Sequence, residues 1–218
     1  MFNRILDRLE IRYGRYNGIR NLMTYIVAAM AVVFVADLML VPMMNFSLSS
    51  WLSFDLNKIL HGQIWRVITF VFMPPSDSII FILFSLLFYH FLGQMLQSHW
   101  GNLRFNVFYF IGMLGSIVAG LITGYATNYY LNLSLFLALA ILYPEMSFNL
   151  YGIFSVKAKW LALIDVVLIL PALINGTWGM RIAILVSLAN IALFFYDRFI
   201  RMYRDAQRRR EWRQNWRR

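Results

Sequence analysis

Residues 22–44 read LMTYIVAAMAVVFVADLMLVPMM, an apolar run whose one charge is Asp37. At about 1.5 Å per residue such a run reaches about 34 Å as a helix, enough to cross a hydrocarbon core of about 30 Å. A cleavable leader has a shorter apolar core and a small-residue cleavage site, so this run is expected to remain as a first spanning helix. The rest of the chain agrees. Its 218 residues are 61% hydrophobic and 14% charged, with a mean hydropathy of +0.61, whereas soluble domains run at about 45–50% apolar and about 25% charged. The sequence therefore describes an all-α integral membrane protein with room for about six spans and none for a separate soluble catalytic domain. Zero cysteines exclude disulfides, thiol nucleophiles and Cys-ligated metals.

Outward from the first run, residues 1–21 form a basic N-terminal segment, 22–199 a membrane domain and 200–218 a basic C-terminal tail. Residues 45–75 are apolar in pieces, broken by polar residues and closed by Pro74-Pro75. There Leu52, Leu56, Ile59 and Leu60 repeat at helical spacing, which predicts a helix lying in the interface and a first loop dipped into the membrane surface. Five further spans are expected at 78–96, 105–125, 129–143, 160–174 and 180–196, the fourth and fifth spans of the six being short for a full bilayer. An even number of spans puts both termini on one side, and 17 of the 20 Lys and Arg fall on that side. Positive-inside asymmetry then makes both termini cytosolic, with the plasma membrane as the expected location. It also accounts for the net charge of +10 without nucleic acid. The tail mixes Trp212 and Trp216 with arginines, a composition suited to an anionic inner leaflet.

Several short stretches then follow in a telling order. Gly62-Gln63-Ile64-Trp65-Arg66 lies in the first loop, and Gly93-Gln94-Met95-Leu96-Gln97-Ser98-His99-Trp100-Gly101 leads to Arg104. A third span holds Gly112, Gly115, Gly120 and Gly124, and Pro144-Glu145 and Val156-Lys157-Ala158-Lys159-Trp160 precede the fifth. Physically, Trp65 and Arg66 suit a loop anchored at headgroup level, with the indole in the interface and the guanidinium on phosphate. The glycines Gly115, Gly120 and Gly124 would let backbones approach closely.

The ordered set resembles the rhomboid superfamily, whose six-helix core carries a Trp-Arg pair in a membrane-dipping first loop and a Gly-x-x-x-Glu-x-x-x-Gly pattern ending the second helix. Here Gln97 stands at the Glu position, between Gly93 and Gly101. The resemblance implies a six-transmembrane-helix rhomboid-like bundle. It makes Trp65, Arg66, Gly93, Gln97, Trp100, Gly101, Arg104, Lys157, Lys159 and Trp160 the signature residues and candidate contacts for clients or lipids.

Rhomboid proteases use a serine in a Gly-x-Ser-Gly motif on the fourth helix and a histidine on the sixth, helped by His and Asn on the second. A hydroxyl needs such a base, because it is a weak nucleophile at its own pKa. The chain has only His61, His90 and His99, all ahead of the sixth span. Arg181 falls near the position of the base and cannot accept a proton. Ser134 lacks flanking glycines, and Phe81 and Ser85 fall where the helper His and Asn would be. The substituted catalytic positions are thus Phe81, Ser85, Ser134 and Arg181, with no catalytic residue assigned. The segment 144–158, continued by Lys159 and Trp160, is similar to the corresponding loop of derlins, the non-catalytic branch, which bind membrane substrates and hand over misfolded proteins.

Two other readings stay open. Ser134 with His90 would make an active rhomboid-family intramembrane serine protease with relocated groups. Asp37 and Asp165 with His90 would make a small transporter, since intramembrane charges are costly enough to be functional by default. Asp37 near the outer end of its span would reach water, and Asp165 would pair with Lys157 or Lys159. No phosphate loop, metal-ligand cluster or dinucleotide fingerprint appears, so neither metal nor cofactor is expected. The partners expected are membrane lipids and transmembrane protein clients. The sequence sets no oligomeric state. The main expectation is a rhomboid-like pseudoprotease that binds or chaperones other membrane proteins and perturbs the bilayer locally.

Overall fold

The structure, a computed structural model, describes residues 2–14, 17–150 and 154–215. The segment 151–153 of the derlin-like loop and Trp216 of the tail lie outside the described residues. Helix α1 (Phe2–Tyr13) precedes α2 (Leu22–Met44), whose bounds are those of the opening apolar run. The first loop follows, with α3 (Leu48–Leu52), α4 (Leu56–Leu60), α5 (Arg66–Thr69) and a 3-10 turn at Phe70–Phe72. Then come α6 (Ile79–Trp100), α7 (Asn102–Thr123), α8 (Tyr129–Leu142), an antiparallel hairpin of β1 (Ser147–Leu150) and β2 (Phe154–Lys157), α9 (Ala158–Asn175) and α10 (Trp178–Asn215). Helices α2, α6, α7, α9 and the first part of α10, to Ile200, are long and apolar enough to cross a membrane, and α8 is a shorter apolar helix of 14 residues. The molecule is an all-α membrane protein with one small hairpin between α8 and α9.

The single interfacial helix expected over Leu52 to Leu60 is instead two helices. Ser47 and Asp55 each cap a separate start, accepting from the Ser50 and Lys58 amides, and Ser53 and Asp55 between them are extended. An Asp at a cap position initiates a helix more readily than it continues one. The break turns Phe54 inward, where it is fully buried, meets Phe70 edge-on at 5.9 Å and fills the space a side chain at Gly120 would need.

The core is centred on α8, nine of whose residues are buried. Close packing at glycines sets the helix spacing. A Cβ at Gly93 would overlap the Met23 side chain, one at Gly115 would overlap Val186, and one at Gly112 would lie 2.5 Å from Leu131 and 2.9 Å from Asn190. Gly124 does not share this role. It adopts φ +86 at the end of α7, its amide bonds back to the Gly120 carbonyl at 2.8 Å, and a Cβ there would touch nothing. It terminates the helix in the left-handed region that favours glycine. The tail is helical too. No Gly or Pro follows Gly179, and good helix formers such as Arg, Glu and Gln carry α10 unbroken to Asn215.

Candidate functional site

The Trp65-Arg66 pair is split in role. Arg66 is buried, 1% exposed, and its guanidinium stays inside the loop: Nη1 donates to the carbonyls of Ser50 at 2.9 Å and Ser53 at 2.8 Å, and Nε donates to Gln63 Oε1 at 2.6 Å. The expected contact of Arg66 with phosphate is therefore corrected. Carbonyls left over at the end of a five-residue helix need donors, and the two N–H groups of Arg66 Nη1 satisfy two of them at once. Trp65 is 36% exposed, and its ring lies 4.8 Å from that of Trp51.

Asp37 closes the same loop from α2. Its carboxylate accepts from the Leu48 amide at 2.5 Å and from the Ser49 amide, and Ser49 Oγ also donates to it. A capping role accounts for this intramembrane charge. Asn128, at the start of α8, donates to the carbonyls of Val71 at 3.0 Å and Met73 at 2.8 Å, and the Leu56 amide donates to Gly124 at 3.1 Å. The loop is thus tied to α2, α7 and α8. Asn128 was not singled out from sequence, although a lone amide at the head of an apolar run was a legible signal.

At the opposite end of the bundle, Gly101 alone separates α6 from α7, with φ +83. Gln97 is buried and donates to Asn102 Oδ1 at 2.6 Å and to the Ile19 carbonyl at 3.4 Å, while Asn106 donates to the same carbonyl at 3.2 Å. A neutral amide can donate here where a carboxylate could not, which gives the Glu-to-Gln departure a physical reason. Trp100 stacks among Phe108, Phe194 and Phe195 at 5.3–6.0 Å. Arg104 pairs with Glu10 at 2.7 Å and with Asp7, fastening α1 to the corner.

Lys157 and Lys159 do not pair with Asp165. Both bind Glu145, at 2.7 and 2.5 Å, and clasp the hairpin to the first turn of α9. The reason is geometric. The hairpin folds Lys157 back onto the segment leaving α8, whereas Asp165 lies farther along α9, within its membrane span. The two ammonium groups, hydrogen-bonding to the Glu145 carboxylate, hold its pKa well below the usual range, at about 2. Trp160 is 55% exposed.

Helix α9 itself is lightly held. Of its residues only Ala158 is buried, and Leu163, Val167, Leu168 and Ile174 all face outward. Between α8, α9 and α10 runs an apolar groove of about 470 Å³, lined by Leu137, Ile141, Leu163, Val166 and Ile191 with Lys159 at its edge.

The residues expected at the substituted catalytic positions form no common site among the described contacts. Phe81 is 63% exposed and faces outward, and Ser134 is fully buried with its hydroxyl donating to the Leu131 carbonyl of its own helix at 2.6 Å. His90 Nδ1 lies 3.3 Å from Thr24 Oγ1, not at Ser134. Arg181 donates to the Ile174 carbonyl at 2.6 Å and sits over the Trp178 ring at 5.0 Å. Ser85 is half-buried.

None of the curated proteins compared with the chain matches it. A family model described as "Eukaryotic integral membrane protein (DUF1751)" matches residues 21–215, a stretch that takes in every candidate span, the first loop and the groove beside α9. The chain belongs to this family of eukaryotic integral membrane proteins.

Proposed function

We propose that this is a rhomboid-like, non-catalytic membrane protein with cytosolic termini, whose six apolar helices hold transmembrane segments of other membrane proteins at the face formed by α8, α9 and α10. The observation that carries this reading is the light docking of α9 beside an apolar groove. A helix that buries one residue can move aside at little cost, because association in lipid rests on packing. Helix α8, with 14 residues, reaches about 21 Å against a core of about 30 Å, so lipid beside it must thin or tilt. A client segment carrying a polar residue would be better placed there than in undisturbed bilayer, in the manner of the derlins that the loop before α9 resembles. The bond of Ser134 to its own helix and the separate partner of His90 support the absence of a proteolytic dyad.

Photo-crosslinking tests the reading. A crosslinker at Leu163 or Val166 is expected to capture a reporter segment with a central Asn in preference to an all-Leu segment, whereas one at Val35, on the exposed face of α2, captures neither preferentially. Equal capture of both segments at all three positions would overturn it. Fluorophosphonate labelling lost in Ser134→Ala, together with reporter cleavage, would establish a protease instead.

A further inference from the structure

A second cavity lies at the end of the bundle where α1 and the second half of α10 meet the α6–α7 corner. It encloses about 650 Å³, within the range of about 300–1,000 Å³ of sites that hold small ligands. Trp100 and Phe195, packed together at 5.7 Å, form its apolar floor, and Arg104, Arg198 and Arg204 line its walls. Of its two carboxylates, Asp7 is engaged by Arg104. Arg198 and Arg204 have no carboxylate partner among the described residues, and Asp197 is the only other acid in the lining. The cleft sits where the apolar stretch of α10 gives way to its basic stretch, around Ile200. An aromatic floor beneath guanidinium walls matches a ligand that is apolar below and multiply anionic above.

We propose that this cleft binds a phosphorylated headgroup, with Arg198 and Arg204 as its phosphate ligands and Arg104, held in place by Asp7 and Glu10, as a fixed wall. The site lies on a different face from the groove beside α9 and does not rest on the reading of that groove. Planar guanidinium forks meet phosphate oxygens in pairs, and two of them on one helix, six residues apart, address a headgroup bearing more than one phosphate.

The test uses the full chain in phosphatidylcholine nanodiscs doped with a multiply phosphorylated inositol lipid, with bound lipid counted by native mass spectrometry. Arg198→Gln/Arg204→Gln is expected to weaken retention about tenfold or more, on the basis of roughly fivefold per arginine near a membrane surface. Arg20→Gln/Arg208→Gln removes the same charge from exposed positions outside the cleft and is expected to change retention less than twofold. In a second arm, soluble inositol trisphosphate is titrated against the protein in undoped nanodiscs. Binding there, lost in Arg198→Gln/Arg204→Gln, assigns the site to the phosphate groups themselves. Retention of the lipid alone, with the same sensitivity, assigns it to a lipid in the leaflet. Equal loss in both pairs of variants, or no loss in either, overturns the proposal.

Discussion

Arg66 donates through Nη1 to the Ser53 carbonyl at 2.8 Å, across thirteen residues of chain, and thereby makes the first loop a closed unit. Because the same buried guanidinium also donates to Ser50 and Gln63, its removal takes a donor from all three acceptors, of which the Ser50 carbonyl keeps Ser53 Oγ. Arg66→Ala is expected to destabilise the protein by about 2–4 kcal/mol, and Arg66→Lys, which lacks the separate Nε donor to Gln63, by a little less. Equilibrium unfolding in mixed micelles measures this, and a loss under about 1 kcal/mol would show that the loop does not depend on Arg66. Trp65→Ala, at an exposed position outside this network, is expected to leave stability within about 1 kcal/mol of wild type.

The Glu145 clasp makes a pH prediction. Its carboxyl pKa is lowered from 4.5 to about 2 by hydrogen bonds to Lys157 and Lys159, so the clasp is fully formed above about pH 4.5 and is lost as pH falls through about 2. Amide exchange in the hairpin, at Val156 for example, which pairs with Phe148, reads this directly. Glu145→Gln is expected to exchange faster than wild type at pH 5 to 7 and to match it below pH 2. A wild-type hairpin that opens between pH 7 and 5 would contradict the assignment.

Gly93 and Met23 couple α6 to α2. A Cβ at Gly93 overlaps the Met23 side chain, and Met23 is itself buried, so Gly93→Ala is expected to cost about 1–3 kcal/mol by overpacking. Met23→Ala alone opens a cavity and costs about 2–5 kcal/mol. The double variant refills one defect with the other, and its loss should fall short of the sum by at least about 1 kcal/mol. Strict additivity in the same unfolding assay would mean that α2 and α6 are not in contact there.

Much of this fold was legible as hydrophobic runs. The opening run gives α2 to the residue, and the ends of α6 to α9 fall within a few residues of the expected spans, because a backbone in lipid must close its own hydrogen bonds as helix. The partners of polar side chains were not legible. Sequence spacing offered Asp165 to the lysines, but the hairpin brings Glu145 to them instead. Trp65-Arg66 looked like one interfacial pair because adjacency says nothing of burial: Trp65 precedes the four-residue helix and is exposed, whereas Arg66, its first residue, is buried. The groove beside α9 was invisible for a related reason. A span that packs lightly and one that packs tightly are equally apolar, so composition cannot tell α9 from α8.

Helix α6 offers a direct test of orientation, because Ser78 at its start and Ser98 near its end are both exposed and lie on opposite sides of the membrane if the helix spans it. The chain has no cysteine, so Ser78→Cys and Ser98→Cys each provide a single reactive thiol. With α6 and the other expected spans crossing the membrane, 17 of the 20 basic residues fall on the side of Ser98, and the positive-inside rule predicts that side to be cytosolic. In sealed microsomes with the cytosolic face outward, a membrane-impermeant maleimide is expected to label Ser98→Cys at once and Ser78→Cys only after permeabilisation. Labelling in the reverse order would invert the protein and carry the arginine-lined cleft away from the cytosolic leaflet. Labelling of both without permeabilisation would show that α6 does not cross the bilayer, and the proposed topology would fall with it.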